Sequence, residues 1–157
     1  MDIRSLHLVL DGATLNRLLA RVIRDAKDVR EVEAVFESGK LWLKAEVKVP
    51  ASVPLLGGKW TSLRTCWQLE VVDGKLSTEL VAAEIPGLGF GGGDWMSGAL
   101  LELVRNAVSG RPHIAVEGRA IRLDLDKLLG AALESPIHLN LRRIDITPDA
   151  IELQAGA

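Results

Sequence analysis

The stretch that decides the fold runs from residue 60 to residue 85 and reads WTSLRTCWQLEVVDGKLSTELVAAEI. Two strand-like segments, Trp60 to Val72 and Lys75 to Ile85, flank Asp73-Gly74, a dipeptide typical of a tight turn between antiparallel strands. The alternation predicts a buried face made of Leu63, Trp67, Leu69 and Val71. The opposite face comprises Ser62, Arg64, Gln68, Glu70 and, among them, Cys66. We therefore expect a long β-hairpin with one buried side.

A second hairpin precedes this one along the chain. Acidic and apolar residues alternate from Val29 to Glu37, Ser38-Gly39 supplies a turn, and Lys40 to Val49 alternates again. The apolar face of the last segment consists of Leu41, Leu43, Ala45, Val47 and Val49. Its polar face consists of Lys40, Lys44, Glu46 and Lys48, with Trp42 as an apolar exception. We expect this hairpin to expose one side to water.

Two segments have helical periodicity. The first, residues 14–27, follows turn and cap residues Asp11, Gly12 and Thr14 and has an apolar face that includes Leu15, Leu18, Leu19, Val22, Ile23 and Ala26. Its other face carries a basic stripe formed by Arg17, Arg21, Arg24 and Lys27. The second, residues 94–109, is apolar over most of its circumference and should lie inside the fold.

Shorter elements complete the chain. Strands are expected near residues 3–10, 113–116 and 120–125, followed by a short helical piece to Leu133 and a closing hairpin around Pro148-Asp149. A change of phase in the closing strand predicts a β-bulge at Arg142-Arg143. The fold class is therefore α+β, with a long antiparallel sheet and two apolar-faced helices.

The composition of the chain excludes several kinds of partner and binding site. A chain of 157 residues with 48% hydrophobic and 25% charged residues is expected to form one domain across residues 1–157. A net charge of −2 argues against a nucleic-acid partner. The single cysteine, Cys66, excludes an intramolecular disulfide and a thiolate zinc centre. With no signal peptide or membrane span, we expect a soluble protein, cytoplasmic as the sequence stands and envelope-facing if it is trimmed from a longer precursor.

No catalytic motif emerges from the sequence. Gly87, Gly89 and Gly92 imitate a dinucleotide-binding fingerprint, but the preceding strand belongs to an antiparallel hairpin and no βαβ units follow, so a loop or lid is the better interpretation. The three histidines, His7, His113 and His138, lie far apart and lack metal-ligand spacing. We expect a non-enzymatic protein without a metal or another cofactor.

The order of these pieces has a family likeness. It rests on LHLVLDGATLNRLLARVI (6–23), EAVFESGKLWLKAEV (33–47), LEVVDGKLSTELV (69–81), the glycine loop before the apolar helix, and RPHIAVEGRAIRLDLDKLL (111–129). This layout resembles the LmeA-like phospholipid-binding proteins and the wider tubular lipid-binding group. The resemblance covers most of the chain and implies a strongly curved antiparallel sheet, a half-barrel wrapped around the helices, with lipid chains held between them.

The sequence therefore predicts a groove for a lipid or another apolar small molecule. Its predicted walls are Leu15, Leu19, Val22 and Ile23 from the first helix, Leu41, Leu43, Leu63 and Leu69 from the sheet, and Trp95, Met96, Leu100, Leu103 and Val104 from the second helix. Phe90 is the predicted gate. The basic stripe Arg17, Arg21, Arg24 and Lys27 could contact a membrane surface, or be an ordinary solvated face. The alternative function is an interaction module with a filled core, and the oligomeric state stays open.

Overall fold

The computed structural model describes residues 5–49, 51, 57–85, 98, 101–102, 105 and 113–156. The elements are β1 (Ser5–Asp11), α1 (Gly12–Ile23), β2 (Val29–Glu37), β3 (Lys40–Lys48), β4 (Trp60–Val72), β5 (Lys75–Glu84), β6 (Ile114–Glu117), β7 (Ala120–Leu123), α2 (Leu125–Ala132), β8 (Leu141–Ile146) and β9 (Ala150–Gly156). Residues 98, 101, 102 and 105, inside the predicted second helix, are helical. The prediction of a mostly antiparallel sheet with helices is confirmed.

The strands form two sheets, whereas the sequence analysis anticipated one. Six strands lie in the order β2-β3-β4-β5-β7-β6, and three lie in the order β1-β9-β8. The smaller sheet exists because the two ends of the described chain pair with each other, with Ser5 opposite Gly156 and Asp11 opposite Ala150. Alternation within one segment does not reveal so distant a partner, and this is why the division was missed.

Local turn chemistry fixes the hairpins as expected. Asp73 and Gly74 have φ values of 51° and 74°, the left-handed conformations that a tight two-residue hairpin turn requires. The predicted bulge in the closing strand is confirmed by a register shift between Leu141 and Arg143. A further shift, between Cys66 and Trp67 in the pairing of β4 with β5, was not predicted.

The first helix is shorter than predicted. Asp11 caps its N-terminus, since the carboxylate Oδ1 accepts a hydrogen bond from the Thr14 amide at 2.8 Å. The helix ends at Ile23 instead of residue 27, and the Ala26 amide bonds the Ile23 carbonyl in a tighter turn. A longer helix would place the negative charges of Asp25 and Asp28 at its negative C-terminal end, which is unfavourable. The chain must also turn here to enter β2.

Three apolar clusters succeed one another along the buried, inner face of the six-stranded sheet. The loop-end cluster comprises Val47, Leu63, Ala83 and Ile85, with Val29 and Ala45 packed against it. The middle cluster comprises Ala34, Leu41, Trp67, Leu80, Leu101, Ile146 and Ile151. The turn-end cluster comprises Leu76, Ile137, Leu139, Leu141 and Ala155. The middle cluster thus joins the large sheet to β8 and β9.

Candidate functional site

Most of the predicted wall residues that the structure describes lie on or against the inner face of the six-stranded sheet. Leu41 is buried in the middle cluster, and packed against that cluster are Leu15, Leu19, Leu43 and Leu69. Leu63 belongs instead to the loop-end cluster. Ile23 is half-buried and is a member of none of the three clusters. The structure therefore brings five of the predicted wall residues together, whereas Leu63 and Ile23 lie apart from them.

The predicted groove also includes residues of the second helix and a gate. Trp95, Met96, Leu100, Leu103, Val104 and the gate residue Phe90 lie outside the described residues, as does the side chain of Val22. Their neighbour Leu101 is described, and it is 7% exposed within the middle cluster. The second helix therefore contributes at least one side chain to the core, as its apolar pattern predicts.

A buried polar pair lies where the middle and loop-end clusters meet. The Trp67 indole Nε1 donates a hydrogen bond to Thr65 Oγ1 at 2.7 Å, and the Thr65 hydroxyl donates to the Leu43 carbonyl at 3.3 Å. Thr65 is 5% exposed, so both polar groups are satisfied away from water. Thr65 was not predicted to lie on the buried face, although its position midway between Leu63 and Trp67 in an alternating strand indicates that face.

Helix α1 is attached to the edge strand β2 by one amide side chain. Asn16 Oδ1 accepts the Ala34 backbone N–H at 2.7 Å, which satisfies a donor that the open edge of the sheet would otherwise leave unpaired. This contact fixes the orientation of the helix, with Leu15 and Leu19 directed at the middle cluster. Asn16 is a positioning residue that the sequence analysis did not identify.

The basic stripe is present in part. Arg17, Arg21 and Arg24 are exposed and lie at helical spacing along the outer side of α1 and its C-cap. Lys27 was wrongly included, because the helix ends at Ile23 and residue 27 lies in the following bend. Among the described residues, none of these cations lies within ion-pairing distance of a carboxylate. The face therefore presents three exposed arginines, of which Arg17 lies near enough to Asp11 to help lower the pKa of its carboxyl.

The outer face of the sheet carries two arginine–tryptophan stacks. The Arg64 guanidinium carbon lies 4.1 Å from the centroid of the Trp42 ring, and Arg30 lies 4.1 Å from that of Trp60. Cys66 pairs across the strands with Trp42 on this polar face, as predicted, yet it is only 1% exposed. Its burial raises the pKa of the thiol. The stacks therefore cover part of the outer face, which the alternation of polar and apolar residues predicts to be exposed to water.

A cavity of about 580 Å³ lies away from the predicted groove. It is lined by His113, by the face of α2 that includes Asp126 and Gly130, and by the segment from Glu134 to His138. None of the predicted wall residues that the structure describes borders it. Asp126 Oδ1 accepts the Leu139 backbone N–H at 3.0 Å, which holds the returning chain beside the helix. This cavity has no signature in the sequence, because its walls meet only after the chain turns back.

The described residues contain no group of three or more His, Cys, Asp or Glu side chains arranged to hold a metal ion. Within the same part of the chain, no helix has both the length and the apolar character needed to cross a membrane. No family model matches the chain, and no curated protein or solved structure is significantly similar to it. The likeness to lipid-binding proteins thus rests on sequence layout alone.

Proposed function

We propose that this protein binds an apolar ligand, such as the acyl chains of a lipid, against the inner face of its six-stranded sheet, without catalysing a reaction. The observation that carries the proposal is the length of this apolar face, which continues past the core into the loop-end cluster. The described contacts of that cluster come from the sheet and from Ile85 at its end, and none comes from α1, β1, β8 or β9.

The energetics of such binding need no polar motif. Each buried methylene contributes ~0.8 kcal/mol, so an acyl chain with about ten buried methylenes gains roughly 8 kcal/mol before ordering costs. In the proposal the sheet curves around the ligand, with Leu63 and Val47 facing it. The strongly curved half-barrel and the gating role of Phe90 belong to this proposal too.

The exposed arginines on α1 support peripheral contact with an anionic membrane surface. Arg17, Arg21 and Arg24 are exposed along one side, and the opposite side packs on the sheet. Each such arginine contributes about 1 kcal/mol near an anionic bilayer. Replacing all three by glutamine is expected to weaken cosedimentation with phosphatidylglycerol vesicles by about 100-fold. Equal binding of wild type to purely phosphatidylcholine vesicles would contradict an electrostatic contact.

A filled-core interaction module is the second candidate function. It is favoured by the packing of Leu15, Leu19, Leu41, Leu43 and Leu69 around one cluster. In this alternative the inner faces fill one another. The two arginine–tryptophan stacks on the outer face then become the contact surface, since tryptophan and arginine are enriched at binding hot spots.

Substitutions at two adjacent alanines on β5 distinguish the ligand-binding function from the filled-core interaction module. Ala83 is buried in the loop-end cluster, whereas Ala82 pairs with Cys66 on the outer face. In the ligand-binding proposal, Ala83→Leu occupies ligand space and abolishes uptake of a fluorescent fatty acid, and Ala82→Leu leaves uptake unchanged. Wild type that takes up no probe, together with an Ala83→Leu variant destabilised by about 1–3 kcal/mol through overpacking, supports the filled core instead.

A further inference from the structure

The cavity beside α2 differs from the inner face in its charge. Its lining carries three carboxylates, those of Asp124, Asp126 and Glu134, together with Lys127 and two histidines, His113 and His138. Asp124 is compensated, because its Oδ2 lies 4.0 Å from Lys75 Nζ and 3.7 Å from Lys127 Nζ. Asp126 and Glu134 have no cationic group within ion-pairing distance among the described residues. The cavity lining also includes Lys127, which pairs with Asp124, so within the described part of the chain Asp126 and Glu134 form no ion pair.

The returning backbone passes close to helix α2 at Gly130. Gly130 lies four residues after Asp126 and four before Glu134, and all three line the cavity. A Cβ atom at residue 130 would lie 3.0 Å from the Ser135 carbonyl oxygen, so a side chain there would crowd the returning backbone. Glu134 has a φ of 51°, a conformation uncommon for glutamate, which turns the chain back along the helix. Strain of this kind is often found at binding sites.

The rest of the lining selects the chemistry of the ligand. Ala131, Pro136 and Ile137 add apolar surface, and Ile137 is only 3% exposed. A bare metal ion fits poorly, since the described side chains include no cluster of three metal-ligating groups. A volume of about 580 Å³ lies within the range of pockets for small organic molecules.

We propose that this cavity binds a small organic ammonium ion with an apolar body. The ammonium group lies between Asp126 and Glu134 and donates hydrogen bonds to both carboxylates, and the apolar body packs on Ala131, Pro136 and Ile137. Asp126 can serve in this way while its Oδ1 keeps the Leu139 amide, because a carboxylate accepts several hydrogen bonds. Among the described residues the site shares no wall with the proposed apolar groove, so the two proposals are tested separately.

The test uses two probes with the same ring system and opposite charges, tryptamine and indole-3-acetate. Both are titrated into ¹⁵N-labelled full-length protein and followed by amide chemical shifts. Tryptamine is expected to shift amides of α2 and of residues 134–139 in a saturable manner, at least tenfold more tightly than indole-3-acetate. Absence of saturable tryptamine binding, or equally tight binding of indole-3-acetate, overturns the proposal.

Matched variants locate the binding. Ala131→Phe fills the cavity and is expected to abolish the tryptamine shifts, whereas Leu129→Phe, on an exposed side of α2 that does not line the cavity, leaves them unchanged. Glu134→Gln keeps the size of the side chain and is expected to weaken binding about threefold, and the double change with Asp126→Asn about tenfold. Tryptamine affinity unchanged in a folded Ala131→Phe protein overturns this site. If tryptamine is instead displaced by a fatty acid, or if Ala83→Leu abolishes its binding, then tryptamine binds on the inner face of the sheet.

Discussion

The attachment of α1 to the sheet edge through Asn16 can be tested by a single substitution. In Asn16→Ala, the buried Ala34 N–H loses its acceptor, and an unsatisfied buried donor costs about 1–3 kcal/mol. Alanine regains about 0.5 kcal/mol of helix propensity over asparagine. We therefore expect a net loss of about 1–2 kcal/mol in the free energy of unfolding. Asn16→Asp retains an acceptor oxygen and should lose much less.

Urea denaturation followed by tryptophan fluorescence measures these differences as shifts in midpoint at constant slope. Arg21→Ala, an exposed change on the same helix, provides the control for helix propensity alone. If Asn16→Ala stays within about 0.5 kcal/mol of wild type, or if Asn16→Asp is equally damaging, the amide contact does not hold the helix on β2. Because α1 carries the basic side chains, the same substitution should also weaken binding to anionic vesicles.

Three further predictions concern single side chains. Trp67→Phe removes the indole donor to Thr65 and is expected to cost about 1–2 kcal/mol in urea unfolding; a loss below about 0.5 kcal/mol would show that the pair is not stabilising. Burial raises the pKa of the Cys66 thiol, so a disulfide reagent should react far more slowly with native protein at pH 8 than with unfolded protein, and equal rates would refute the burial. The Thr14 amide lowers the pKa of Asp11 below its unfolded value, so the ionised cap stabilises the fold above the unfolded pKa, and this contribution is lost as pH falls through the folded pKa. Asp11→Ser keeps a cap without a charge and should reduce the acid-side loss of stability measured by unfolding between about pH 5 and pH 2; an unchanged pH profile would contradict the assignment.

Features set by neighbouring residues could be predicted from the sequence. The turns at Ser38-Gly39 and Asp73-Gly74 depend on the conformational preferences of their own residues, and the strands around them alternate with the period of a pleated sheet. The bulge before Arg143 followed from a change of phase within one strand. These signals are local, so no knowledge of distant partners was needed.

Features set by distant partners could not be predicted. The pairing of β1 with β9 joins opposite ends of the described chain and has no local signature. The alternation placed Cys66 correctly on the polar face, but its burial depends on what neighbouring strands bring beside it, including Trp42. The same holds for the contact between Asn16 and Ala34 and for the cavity beside α2.

Lipid identification on the gently purified protein tests the central claim most directly. Native mass spectrometry would measure the intact mass, and organic extraction would identify any molecule that dissociates. The proposed function predicts an acyl-chain ligand at a stoichiometry near one, retained in Ala82→Leu and lost in Ala83→Leu. A protein of bare polypeptide mass that also takes up no fluorescent lipid would contradict the proposal and favour the filled-core interaction module.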